Sequence, residues 1–275
     1  MGAALRTEFR KVVTTRLWWV LLLAMVPYMA FLAALMAWLL TQDGAMAGGT
    51  GMGGQTGGEE VTLAADAVVR GAYTIAVSFG YVFPLLIGAL SVASEFRHQT
   101  ITPTLLAEPR RSVVVGAKLV TGTGTGLVFG VVATAGAVAA AATVLVALGE
   151  QTFLDQASTW GTLALSALAL ALWAFIGVGL GAVLPHQVAV VVVVLAFTQF
   201  VEPLLRLGLA FTSWGAGLAK FLPGAAGEAV SGGSFYSETG AMDLLDPWQG
   251  VLVMLAYGLV FAAVGRYTTF RRDIT

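Results

Sequence analysis

The sequence predicts an all-α integral membrane protein with six transmembrane helices. An N-terminal interfacial helix precedes them, and re-entrant or short outer helices stand before the last span. Three observations carry this. The 275 residues are 58% hydrophobic and only 11% charged, whereas a soluble chain carries about twice that charge. Several apolar runs exceed ~18 residues, long enough to cross a bilayer. The basic residues gather in segments that six passes place on one side: Arg6, Arg10, Lys11 and Arg16, then Arg97, Arg110, Arg111 and Lys118, then Arg266, Arg271 and Arg272. Only Glu8, Glu95, Glu108 and Asp273 of the acidic residues share those segments. The positive-inside rule then places both termini in the cytoplasm.

The chain reads as one transmembrane domain, residues 1–275. Residues 1–16 suit an amphipathic interfacial helix, because Leu5, Phe9, Val12 and Val13 share a face while Arg6, Arg10 and Lys11 point elsewhere. No small-residue cleavage site follows, so a full-length span is expected there rather than a removable signal. The spans fall at 17–40, 68–93, 113–148, 160–184, 188–206 and 248–267. The third is longer than a bilayer requires and must tilt or project. Pro185-His186 makes the tight turn into the fifth. The loop from Thr41 to Asp66, with Gly48-Gly49, Gly53-Gly54 and Gly57-Gly58, is expected outside and flexible. Met46 and Met52 within it make a poor soft-metal site.

The fifth span is unusual. Val188–Val201 covers only ~21 Å at ~1.5 Å per residue, and Glu202-Pro203 follows. Glu202 and Arg206 are four residues apart, which on a helix makes them an ion pair on one face. Residues 207–247 are too polar and Gly-broken for a good span. They read as re-entrant or outer helices, with Asp243 and Asp246 near the start of the last span.

Ser94–Lys118 is a short basic segment between two apolar runs. Residues 94–112 form a loop with the grammar of a small helix. Thr102 suits an N-cap, Pro103 the first helical position, and Glu108-Pro109 a stop. A helix held there is a surface on which another protein can push.

Absent motifs exclude several classes. There are no cysteines, which removes disulfides, thiolate metal sites and cysteine nucleophiles. No phosphate-binding loop exists: Gly122-Thr123-Gly124-Thr125-Gly126 lacks the Lys and the preceding strand. Instead Gly122, Gly126 and Gly130 repeat every four residues, as do Gly177 and Gly181, which predicts close helix–helix contacts. No HExxH, GxSxG or midplane Asp/His cluster is present, and His98 and His186 fall at turns. No catalytic residue, metal site or nucleic-acid partner is expected.

The order Glu95, Arg97, Thr100-Ile101, Leu105-Leu106, Pro109-Arg110-Arg111 and Lys118 resembles the loop after the second span of ABC-2-type transporter permeases. One departure is that Arg follows Pro directly. The resemblance extends to the basic N-terminal helix, the six spans and the re-entrant segment. It implies the transmembrane subunit of an exporter in a bacterial cytoplasmic membrane, with no cofactor on this chain and ATP and Mg on a separate cytosolic ATP-binding-cassette ATPase. A second permease copy, as homodimer or related heterodimer, would complete it. The cytoplasmic coupling helix would then dock the ATPase through Glu95, Arg97, Thr100, Leu105, Leu106, Pro109, Arg111 and Lys118. Leu105 and Leu106 would be apolar anchors, and Glu95 would hold the helix end through Arg97 or an N-terminal basic residue. Arg97, Arg110 and Arg111 would meet acidic partner groups or lipid headgroups. The substrate path would run between two copies, past Phe79, Tyr81, Phe83, Phe197, Gln199, Phe200 and Glu202. An apolar, aromatic path suits a lipophilic or amphiphilic cargo such as a drug, antibiotic, peptide or lipid. The alternatives are a non-transporting anchor, immunity or sensory component, and a secondary carrier or channel.

Overall fold

The computed structural model describes residues 1–41, 65–212, 214–233 and 244–271. The Gly-rich loop with Met46 and Met52 lies outside the described residues, as do Asp243, Arg272 and Asp273. The described chain is helical, without strands. Its elements are α1 (Gly2–Thr14), α2 (Leu17–Thr41), α3 (Ala65–Tyr73), α4 (Ile75–Phe79), α5 (Val82–Arg97), α6 (Ile101–Ala107), α7 (Arg111–Leu148), α8 (Ala157–Val183) and α9 (Gln187–Ala196). A π-helical turn (Phe197–Val201) leads into α10 (Glu202–Ala210), followed by α11 (Gly215–Ala219), α12 (Pro223–Val230) and α13 (Pro247–Thr268). Among the described residues five helical stretches are long and apolar enough to cross a membrane: Leu17–Leu39, Arg111–Leu148, Ala157–Val183, Gln187–Leu209 and Pro247–Thr268.

The second expected span is not one helix. It is divided into α3, α4 and α5 by breaks at Thr74 and Gly80-Tyr81. Thr74 Oγ1 donates back to the Arg70 carbonyl at 2.9 Å, offering the backbone a local alternative to the helix ladder. Pro84 has no N–H to return to the preceding turn, and the Gly80 carbonyl instead accepts from Phe83 N at 3.1 Å. Gly80 also lets α2 approach: an added Cβ would lie 2.7 Å from the Met29 sulfur.

The fifth expected span is longer than its apolar run. Glu202-Pro203 does not end it, because the Phe197–Val201 turn is wound wider and accommodates the missing proline N–H. Helix therefore continues to Ala210, and the irregular segment begins after it rather than at Leu207. At the start of α13, Gln249 Oε1 accepts from the Asp246 N–H at 3.2 Å, half of a capping box.

α8 is the central element, packed by α5, α7 and α13. The glycine repeats make those contacts. A Cβ on Gly130 would come within 2.9 Å of Ala167 Cα, and Gly122 and Gly126 face Val178 and Ala174. On the other side of α8, Gly177 and Gly181 meet the Leu85 and Ala89 backbones of α5. Without side chains in the way, the helix backbones touch. α2 lies against α7 and α9 against α5, each leaving a broad apolar face outward: Trp19, Leu23 and Phe31 on α2, and Val188, Val192 and Val193 on α9. At 38 residues, α7 is about 57 Å long at 1.5 Å per residue and outruns a ~30 Å hydrocarbon core.

Candidate functional site

At one end of the bundle the chain turns sharply after α5. His98, Gln99 and Thr100 close that helix in the two-bond Schellman pattern: Thr100 N–H donates to the Glu95 carbonyl at 2.9 Å and Gln99 N–H to Phe96 at 3.3 Å. Gln99 takes the left-handed conformation (φ 56°) where glycine is usual. This turn starts α6 at Ile101, two residues before the expected start at Pro103. Ile101 is fully buried and pins the helix to Val92, Val115 and Phe270. The stop is as expected, with Glu108 extended and Pro109 exposed.

Behind α6 lies a four-charge clamp. Lys11 Nζ is 2.7 Å from Glu8 Oε1 and 2.8 Å from Glu95 Oε1, and donates to Thr104 Oγ1 at 3.0 Å. Lys118 Nζ is 2.8 Å from Glu8 Oε2 and 2.5 Å from Glu95 Oε1. Glu8, Glu95 and Lys118 are buried, and the two signs balance. The clamp joins α1, α5, α6 and α7, so a push on α6 reaches three other helices through charged hydrogen bonds. Burial disfavours the Lys11 ammonium, but its bonds to Glu8 and Glu95 outweigh this and its pKa stands above the ordinary lysine value. Removing one member of such a buried set leaves an uncompensated charge, at a cost of ~3–5 kcal/mol.

The expected docking residues separate into two groups. Glu95 and Lys118 are interior, and Glu95 is held by the N-terminal Lys11 rather than by Arg97. Arg97 instead donates to Gln187 Oε1 at 3.1 Å. Leu105 is half-buried against the Ile101 cluster, while Leu106 stands 78% exposed. Thr100 and Pro109 are exposed beside it. Arg110 pairs with Glu108 at 2.9 Å, and this bond holds the Glu108 carboxyl below its usual range. Arg111 donates to the Phe270 carbonyl, tying the start of α7 to the last turn after α13. Glu8 and Thr104 escaped sequence reasoning. Glu8 sits beside Lys11 at helical spacing, but α1 turns that charged pair inward and leaves Phe9 and Val13 exposed.

The expected path residues do not share one surface. Tyr81 is buried, its ring stacked on Trp173 at 4.4 Å and its hydroxyl donating to the Thr198 carbonyl at 3.1 Å. Phe83 is partly buried and contacts the Tyr28 ring at 6.1 Å, and Phe79 and Phe197 are also partly buried. Gln199 and Phe200 face outward. Glu202 is buried and pairs with Arg206 at 3.0 Å, as its spacing predicts. Sequence reasoning missed the third member: α12, expected among the re-entrant or outer helices, is wholly buried, and its Glu228 lies 2.9 Å from Arg206. The Gly224 N–H donates to Glu202 at 2.6 Å, fixing α12 on α10. An apolar stretch with one Glu among alanines and glycines gave no signal of that contact.

These features define a class: a multi-pass, all-helical membrane protein with a clamped short helix at one end. Among the described residues no group of three His, Cys, Asp or Glu is arranged to hold a metal. No protein-family model matches the chain, and no curated protein is found to be similar to it.

Proposed function

We propose that this chain is the transmembrane permease subunit of an ATP-binding-cassette exporter in a bacterial cytoplasmic membrane. In this reading it makes six passes, the broken α3–α5 segment being the second, and both termini and α6 are cytoplasmic. A separate ATPase, carrying ATP and Mg, docks on α6, and a second permease copy completes the path. One observation carries the reading: α6 presents Leu106 outward while its Thr104 accepts from Lys11, which Glu8, Glu95 and Lys118 tie into α1, α5 and α7. A lone loop anchor has no use for such a transmission joint, but a lever does. α6 is the coupling helix, Leu106 is its apolar anchor, and Thr100 and Pro109 are flanking contacts. Leu105 holds the lever to the body.

ATPase closure would press α6, and the clamp would pass the displacement to α5 and α7. α5 packs on α9, so the two spans expected beside the path move together. The outward Gln199 and Phe200 then face the second copy, while Tyr81 and Glu202 support the wall from behind. The cargo fitting an apolar wall is lipophilic or amphiphilic. The test is ATP-dependent export by the permease with its co-expressed ATPase. Leu106→Asp should abolish complex formation and ATPase stimulation while the permease remains folded. Unchanged complex formation and stimulation would refute docking through α6.

A further inference from the structure

A cavity of about 370 Å³ opens at the α6 end of the bundle, lined by Arg111, Arg266, Tyr267 and Arg271. That volume falls among ligand sites of ~300–1,000 Å³. Its three arginines differ from the interior cations of this protein. Lys11, Lys118 and Arg206 each have carboxylate partners. Among the described residues no carboxylate pairs with Arg111, Arg266 or Arg271. Arg111 spends one N–H on the Phe270 carbonyl, and Arg266 lies 4.9 Å from the centre of the Tyr267 ring. The Arg266 Nε–H is buried and has no acceptor. A water-poor N–H without an acceptor is costly, and guanidinium groups match phosphate oxygens in bidentate geometry.

We propose that this cavity binds the phosphodiester headgroup of an anionic phospholipid. Two features favour a lipid over free phosphate. The cavity sits at the end of α13, where a spanning helix meets the headgroup layer. Val260, Val264 and Tyr267 also form an exposed strip along α13 leading away from the arginines, a surface for an acyl chain. The site rests on the membrane reading but not on the ATPase. A bound headgroup would bridge Arg111, at the start of α7, to Arg266 and Arg271 at the end of α13. It would thereby brace the base on which α6 pivots.

Native mass spectrometry of the purified chain tests this, with phosphatidylglycerol, phosphatidylcholine or inorganic phosphate added separately. The wild type should retain one phosphatidylglycerol in preference to phosphatidylcholine. Arg266→Gln with Arg271→Gln should weaken that binding by roughly tenfold or more. Arg271→Gln alone, at an exposed position, should weaken it measurably without lowering thermal stability. The control is Arg97→Gln with Arg110→Gln, arginines at the same end already engaged with Gln187 and Glu108. Equal retention of both lipids, or equal loss in the control, overturns the site. Phosphate displacing the lipid at equal concentration overturns the lipid assignment. None of these readouts involves the ATPase, so their failure leaves the docking proposal standing.

Discussion

Lys118→Met is the sharpest test of the clamp. The substitution keeps most of the side-chain bulk and removes one charge. Two carboxylates, Glu8 and Glu95, are then left with Lys11 alone, whose side chain is 30% exposed. Lys118 is 2% exposed at its side chain, so solvent cannot replace what it supplied. The expected loss is ~3–5 kcal/mol, the range for breaking a buried ion pair from one side. Lys11→Met should cost less, since water screens that position. Adding Glu8→Gln to Lys118→Met restores the charge balance and should recover at least ~1 kcal/mol relative to additivity. The assay is unfolding in mixed micelles, followed by tryptophan fluorescence. Lys118→Met within about 0.5 kcal/mol of the wild type, an ordinary surface effect, would show that Lys118 holds no buried charge balance.

Other expectations follow from the same geometry. Leu105→Asp should lower thermal stability, whereas Leu106→Asp should leave it unchanged and lose only the partner, so melting and complex formation dissociate. Gln99→Gly relieves a left-handed residue and should stabilise by ~1 kcal/mol, read as a raised melting temperature. Gly130→Leu forces α7 off α8 and should destabilise by ~1–3 kcal/mol or more, read by the same melt. Folding raises the Lys11 pKa above the ordinary lysine value, so its contribution is complete below that ordinary value and is lost as pH rises through the higher folded pKa. The stability difference between wild type and Lys11→Met should therefore be flat from pH 7 to 9 and shrink only in stronger base.

Much of the architecture is legible in the sequence because a bilayer allows few solutions. Long apolar runs must be helices, and glycines four apart must face another backbone, as Gly122, Gly126 and Gly130 do against α8. What escaped is where local backbone chemistry overrides the apolar pattern. Thr74 and Gly80 interrupt a run that hydropathy alone reads as continuous. Pro203 lies inside the expected fifth span, and a π turn before it carries the helix on to Ala210, beyond the expected end at Arg206. The site was half legible for a related reason. Spacing along one helix gave Glu202–Arg206, but Glu228 reaches Arg206 across 22 residues of sequence. Glu95 is legible from its place in the loop and Glu8 is not, because the inward face of α1 carries charges where amphipathic reasoning places apolar groups.

If α6 is the contact through which an ATPase moves the spans, a reactive group at Leu106 meets that ATPase. The chain has no cysteine, so Leu106→Cys supplies a single thiol without further change. The measurement is site-specific cross-linking from that thiol to a co-expressed ATP-binding-cassette ATPase, with and without ATP, compared with Trp38→Cys on the exposed face of α2. A cross-link from position 106 whose yield changes with ATP is expected, and none from position 38. No cross-link from 106, or equal yield from both positions, would contradict it.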